Sequence, residues 1–298
     1  MNSDKGPIVL GRMSWESAKR RSVRILDKSP FRPVRFIVLC IVFCLYVFPF
    51  LLVLLNSFKE KTAVISNPVA LPQQWSLSNY LDAMEKMDFL HSFFNSLIIT
   101  VLSVGLITIL SAMTAYIFVR RKSKWNKFFF FLMVAAMIIP FQAIMIPLVK
   151  IYGSVGLLNS KWALIYMYIG FGSSLAVFIY HGLIKSIPVE LEEAAMIDGC
   201  TRIQIFFKIV WPLLKPTTMT IVILNVLWIW NDFLLPSLVL ISPEQRTLPL
   251  STFYFFGTYS VDYGLLMAGL VVTIIPVMIV YFFTQKHIIA GVMQGSIK

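Results

Sequence analysis

Apolar and polar residues do not alternate along this chain; they separate into blocks. Six apolar blocks lie near residues 34–57, 92–119, 127–149, 162–184, 213–239 and 263–284, and they hold almost no charge. A helix rises ~1.5 Å per residue and a hydrocarbon core is ~30 Å thick, so each block is long enough to cross. The pattern predicts an all-α polytopic membrane protein with six transmembrane helices. It further predicts a short amphipathic helix between helices 4 and 5, because polar and apolar residues mix there.

Prolines punctuate the blocks at Pro49, Pro140, Pro147, Pro236 and Pro276. Each removes a backbone donor and can kink its helix. The connection from Ser57 to His91 is the longest between blocks. Pro68, Pro72 and Trp75 point to extended chain, and Asp82, Glu85, Lys86 and Asp88 to a short solvated helix ahead of the second block. Residues 1–33 form a basic tail, 34–285 the membrane domain with its loop at 187–212, and 286–298 a second tail. The first block is longer than the ~7–15 apolar residues of a signal segment, so it reads as a retained span.

Composition agrees with lipid as the solvent. Of the 298 residues 58% are hydrophobic and only 13% charged, against ~25% charged in soluble domains. The formal net charge is +12. A basic balance suits nucleic acid, but here the cations sit between apolar blocks, so no nucleic-acid partner is expected. Arg120, Arg121, Lys122, Lys124 and Lys127 follow the second block, and Lys185, Arg202 and Lys208 follow the fourth. With six crossings these fall on one side with both tails, which the positive-inside rule makes cytoplasmic. The basic tail of residues 1–33 suits contact with anionic lipid, with disorder or contact with a partner protein as the alternatives. Cys40, Cys44 and Cys200 make no disulfide framework and read as small packing residues.

The segment Ile187–Pro216, IPVELEEAAMIDGCTRIQIFFKIVWPLLKP, carries the most information. Pro188 suits a first helical turn, and Glu190, Glu192 and Glu193 favour the positive end of the helix dipole. Gly199 after Asp198 stops the helix with a positive φ. A second short helix and Pro212 then lead into the fifth block. A rigid helix tied to two spans is a docking knob; the alternative is a helix resting on lipid headgroups. Three glutamates make the lipid alternative poorer.

Glu193-Ala194-Ala195, three residues, Gly199, nine residues, Ile209 and two residues to Pro212 resemble the EAA loop of ATP-binding-cassette (ABC) importer permeases. Trp211 and Cys200 depart from that pattern without altering the turn. Further matches resemble the carbohydrate branch, specifically its maltose-type second permease subunit: Asn56-Ser57-Phe58-Lys59, Asn79-Tyr80, Asn95-Ser96, Trp230-Asn231-Asp232-Phe233 and Thr247-Leu248-Pro249-Leu250. The resemblance implies a heterodimer with a second permease subunit, two copies of an ABC ATPase and an extracytoplasmic sugar-binding protein. It implies that Glu192, Glu193, Ala194, Ala195, Asp198, Gly199, Arg202 and Pro212 couple the chain to that ATPase, which binds ATP and Mg. No G-x-x-x-x-G-K-[ST] loop occurs here, so the chain itself is expected to bind no cofactor and to be no enzyme.

Asn225, Trp228, Trp230, Asn231 and Asp232 are candidates for a substrate path or gate, since amides beside aromatic rings suit sugars. Asp232 lies ~27 Å along the fifth helix, in the leaflet away from the loop. Gln142 and His181 are lesser candidates, and Gly153, Gly156, Gly170 and Gly172 read as packing glycines. No metal site is expected. An ion-coupled carrier is the competing class; it would need an acidic coupling site at the midplane, which the blocks lack. A membrane scaffold would leave the Glu193–Pro212 spacing unexplained.

Overall fold

The computed structural model describes residues 32–256 and 261–296, without the side chains of Arg32, Thr284 and residues 286–296. The tail of residues 1–33 therefore lies almost wholly outside the described residues. Among those described the ordered segments are helical. They are α1 (Arg32–Asn56), α2 (Lys61–Ser66), α3 (Ser78–Lys86), α4 (Phe89–Arg120), α5 (Lys124–Ala136), α6 (Phe141–Ser154), α7 (Lys161–Ser186), α8 (Glu190–Ile197), α9 (Arg202–Ile205), α10 (Trp211–Leu213), α11 (Lys215–Asn231), α12 (Leu234–Val239), α13 (Leu248–Ser251) and α14 (Tyr263–Ser296). Four of them, α1, α4, α7 and α14, have the length and apolarity of membrane spans.

Two expected spans are broken. The block at 127–149 becomes α5 and α6, bent by 106°. Pro140 is the cause: it has no N–H and stands in extended conformation as the N-cap of α6. The block at 213–239 is also interrupted, because α11 ends at Asn231 and Asp232 turns extended before α12. The helical stretch Arg202–Leu213 meets α11 at 78°. The helix of the sixth span, α14, runs on to Ser296, while its span-like part is Tyr263–Phe283.

Hydrogen bonds show that each bent pair is one crossing. Lys161 at the start of α7 donates to Asn95 near the start of α4 (2.9 Å), while Arg120 at the end of α4 donates to the carbonyl of Ile187 just past α7 (2.9 Å). The two helices therefore run the same way, and residues 121–160 must cross between them. Beside the start of α7, Asn159 accepts from the N–H groups of Ile241 and Ser242 (3.0 and 2.8 Å), and Asn95 donates to the carbonyls of Glu244 and Arg246. Chain that leaves the Arg120 face at Ile187 has thus reached the Asn95 face by Ile241. By length and apolarity α1 and α14 are spans too, so the described residues hold up to six.

The core lies where α4, α7 and α11 meet. Ile107, Leu164, Tyr168, Tyr180, Ile184, Leu214 and Ile221 are buried there. Gly172 has the predicted packing role: a Cβ on it would lie 2.6 Å from Ile107 Cδ1 and 2.8 Å from Asn225 Oδ1. No such neighbour lies near Gly170 or Gly156, and Gly156 instead takes a positive φ of 70°. A second cluster joins Met87, Trp230, Leu248, Phe255 and Leu265, which seats α14 against α3.

The long connection folds more than expected. Lys59 is 4% exposed, and its ammonium donates to Asn56 Oδ1 and to the carbonyls of Asn67 and Pro68 (3.0–3.2 Å). Burial lowers its pKa. Phe58 packs at a tilt against Trp75 and Tyr80, with ring centroids 5.1 and 5.3 Å away. The solvated helix expected here is α3, with Ala83 on its buried face. On α1, Cys40 and Cys44 are free and exposed.

Candidate functional site

The segment after α7 folds in three steps. Ile187 is buried, Pro188 stands just ahead of the cap instead of inside the first turn, and Val189 caps α8. The helix ends as the glycine predicts. Gly199 has φ +82°, its N–H donates to Met196 O (3.1 Å), and Cys200 N–H donates to Ala195 O (3.0 Å). That pair of bonds is a Schellman closure, which needs a left-handed residue at Gly199. Next, Thr201 and Gln204 form a capping box that opens α9. The signal, Thr-x-x-Gln, is legible in the sequence but is not among the residues singled out above.

Five residues of π-helix, Phe206–Val210, follow and carry the chain to Pro212 in α10. A wider turn before a proline eases the clash that its ring would make with an α-helical carbonyl four residues back. Leu214, fully buried, then forms the elbow into α11.

The candidate coupling residues divide between two faces. Glu193, Ala194, Asp198, Gly199 and Arg202 are exposed, as are Glu190 and Leu191. Ile197 is 87% exposed, a large aliphatic side chain standing free at the helix end. Ala195 is buried against the core that includes Ile187, Ile205 and Phe206. Glu192 does not share the outer face with Glu193. It is 3% exposed and accepts from Tyr116 (2.6 Å) and from Arg120 Nε (2.7 Å). Sequence reasoning missed Tyr116 and Arg120. They stand four apart at the end of α4, hence on one helix face.

The five gate candidates do not form one site. Asp232 accepts from the Tyr168 hydroxyl (2.9 Å) and from Leu234 N–H (3.0 Å), so it fastens the end of α11 to α7 and opens α12. Trp228 meets the same Tyr168 edge-on at 5.6 Å. Trp230 points elsewhere, packing on Phe93 with a buried, unpartnered indole nitrogen. Asn225 and Asn231 bond carbonyls of their own helix four residues back. Of the lesser candidates, Gln142 is exposed and His181 stacks on Phe130 at 4.0 Å. Among the described residues no cluster of His, Cys, Asp and Glu suits a metal ion.

The Tyr168–Asp232 bond yields a testable cycle. Asp232→Ala strands a buried hydroxyl and is expected to cost about 1–3 kcal/mol. Tyr168→Phe removes the donor, and the double variant is expected to lose less than the two single losses added. Thermal unfolding of the detergent-solubilised protein measures all three; strict additivity would show that the bond carries no stability.

Comparison with known proteins gives this geometry its context. Residues 107–294 match the family model described as binding-protein-dependent transport system inner membrane component. The probable starch degradation products transport system permease protein AmyC of Thermoanaerobacterium thermosulfurigenes is 46% identical over 254 residues, 85% of this chain and 92% of the relative. The melibiose/raffinose/stachyose import permease protein MelC of Bacillus subtilis (strain 168) is 35% identical over 283 residues, 95% of this chain and 99% of the relative. A chain from the crystal structure of a bacterial ABC transporter involved in the import of the acidic polysaccharide alginate superposes with a TM-score of 0.74 at 26% identity, covering 89% of this chain and 97% of that one. The family match at residues 107–294 includes the whole segment from α8 to α11. This chain belongs to the family of binding-protein-dependent transport system inner membrane components, and is a multi-pass permease of the ABC type.

Proposed function

We propose that this chain is one half of the channel of an importer for an oligosaccharide, and that α8 is the surface on which a separate ABC ATPase docks. Relatives named for starch degradation products and for melibiose, raffinose and stachyose support a sugar substrate. The family's description supports an extracytoplasmic binding protein as donor. The other half of the channel is a second permease subunit, and two ATPase copies bind ATP and Mg. The Arg120 face is cytoplasmic in this reading, because Arg121, Lys122, Lys124, Lys127, Lys185, Arg202 and Lys208 gather there.

One observation carries the docking proposal. The exposed side of α8 combines Glu190, Glu193, Asp198 and the free Ile197, while its other side is held by the core and closed by the Gly199 turn. A rigid, partly apolar face with a charged rim is the usual composition of a protein interface. Glu193→Lys places a cation on that face and is expected to reduce recovery of the ATPase with the affinity-tagged permease at least fivefold. Recovery equal to wild type removes Glu193 from the interface.

A further inference from the structure

Between the end of α4 and the loop segment lies a cleft of about 810 Å³, lined by Met113, Ile117 and Phe207 among others. Its presence means that side-chain packing does not fill the space between α4 and α8. What crosses it is polar and specific. Tyr116 donates to Glu192 Oε2, Arg120 Nε donates to Glu192 Oε1, and Arg120 Nη2 donates to the carbonyl of Ile187. Tyr116 also lays its ring against Phe206 at 5.4 Å, on the far side of the Gly199 turn. Three points of the loop, one before α8, one on it and one after it, are thus held by two side chains a single turn apart on α4.

We propose that Tyr116, Arg120 and Glu192 form a latch that delivers movement of α8 directly to α4. The inference rests on the docking reading above and deepens it. By chain connection alone α8 pulls only α7 and α11. The latch adds α4, which lies along α7 and returns to the opposite face at Asn95, where it holds the carbonyls of Glu244 and Arg246. A push at α8 then reaches the far face through a continuous helix of 32 residues. The ion pair suits this duty. Its side chains are 16% and 5% exposed, so water and salt screen it little, and both carboxylate oxygens are occupied, which fixes direction as well as distance. Tyr116, Arg120 and Glu192 act here as positioning residues, since none of them faces the docking partner.

The test uses the complete importer in proteoliposomes, with the binding protein and maltotetraose or raffinose as the sugar. Glu192→Gln keeps the shape and one acceptor but loses the charge. It is expected to leave ATPase recovery unchanged and ATP hydrolysis running, while sugar taken up per ATP falls at least fivefold. Tyr116→Phe, which deletes one hydroxyl, is expected to give a smaller loss of the same kind, and serves if Glu192→Gln does not fold. The exchange Arg120→Glu with Glu192→Arg is expected to recover part of the ratio that either change alone destroys. An unchanged ratio in Glu192→Gln and Tyr116→Phe overturns the latch. Loss of the ATPase from Glu192→Gln also overturns it, since Glu192 would then belong to the docking surface. Failure of the docking reading shows separately, as undiminished ATPase recovery with Glu193→Lys.

Discussion

Gly199→Pro is expected to abolish sugar uptake, by more than tenfold, while the protein still reaches the membrane in normal amount. Two faults act together. Proline holds φ near −65°, whereas Gly199 sits at +82°. Proline also lacks the N–H that Gly199 donates to Met196. The Schellman closure cannot form, at a cost of roughly 3 kcal/mol or more. Open space surrounds Gly199, since a Cβ built there meets nothing within 4 Å, so the fault is expected to stay local to the turn and to spare the membrane spans. The helix end then points in a new direction, and the face proposed above as the ATPase dock is lost. Quantitative blotting of membranes, sugar uptake and ATPase recovery together check this; normal uptake removes the turn from the mechanism.

Gly264→Val has a large effect of a different kind. Gly264 opens α14 directly beneath the chain after α1: a Cβ there would lie 2.6 Å from the backbone carbonyl of Lys59 and 3.1 Å from Asn79 Nδ2. Asn79 itself donates to the carbonyls of Ser57 and Lys59 (both 2.9 Å), so neither neighbour is free to yield. Valine forces α14 away from α3 and opens the cluster of Met87, Leu248 and Leu265. Core disruption of this sort costs about 1–3 kcal/mol or more, and the mature protein is expected to fall to less than a fifth of its normal membrane level. Fluorescence-detected size exclusion of a tagged form measures it. A normal, monodisperse peak would mean that the carbonyl moves aside.

Both glycines show where sequence and structure agree and where they part. The Gly199 turn is legible because its requirement is local: a helix, an acidic residue, then the residue that accepts positive φ. Gly264 carries no such mark, since its neighbours come from a loop some two hundred residues earlier in the chain. The same division runs through the spans. Length and apolarity reveal that residues 127–149 are membrane material, yet hydropathy has no direction, so the bend at Pro140 shows only as a proline. Glu192 and Glu193 are adjacent and chemically alike. Only the arrival of Arg120 and Tyr116 from α4 makes one a buried anchor and the other an exposed surface group. Arg120 itself reads in sequence as one more cation in a basic run. Tyr168 likewise looks like any aromatic of an apolar block, although it is the group that gives Asp232 its place.

The break between α5 and α6 carries a demand of its own. Neither helix has a buried residue among those described, and Ile138 at the corner is 81% exposed. A helix start leaves its first amide hydrogens without partners in the helix, and oil offers them none. Acyl tails are therefore unfit company for this corner. Water or a neighbouring polypeptide has to stand against it, so this side of the chain is a wall left unfinished.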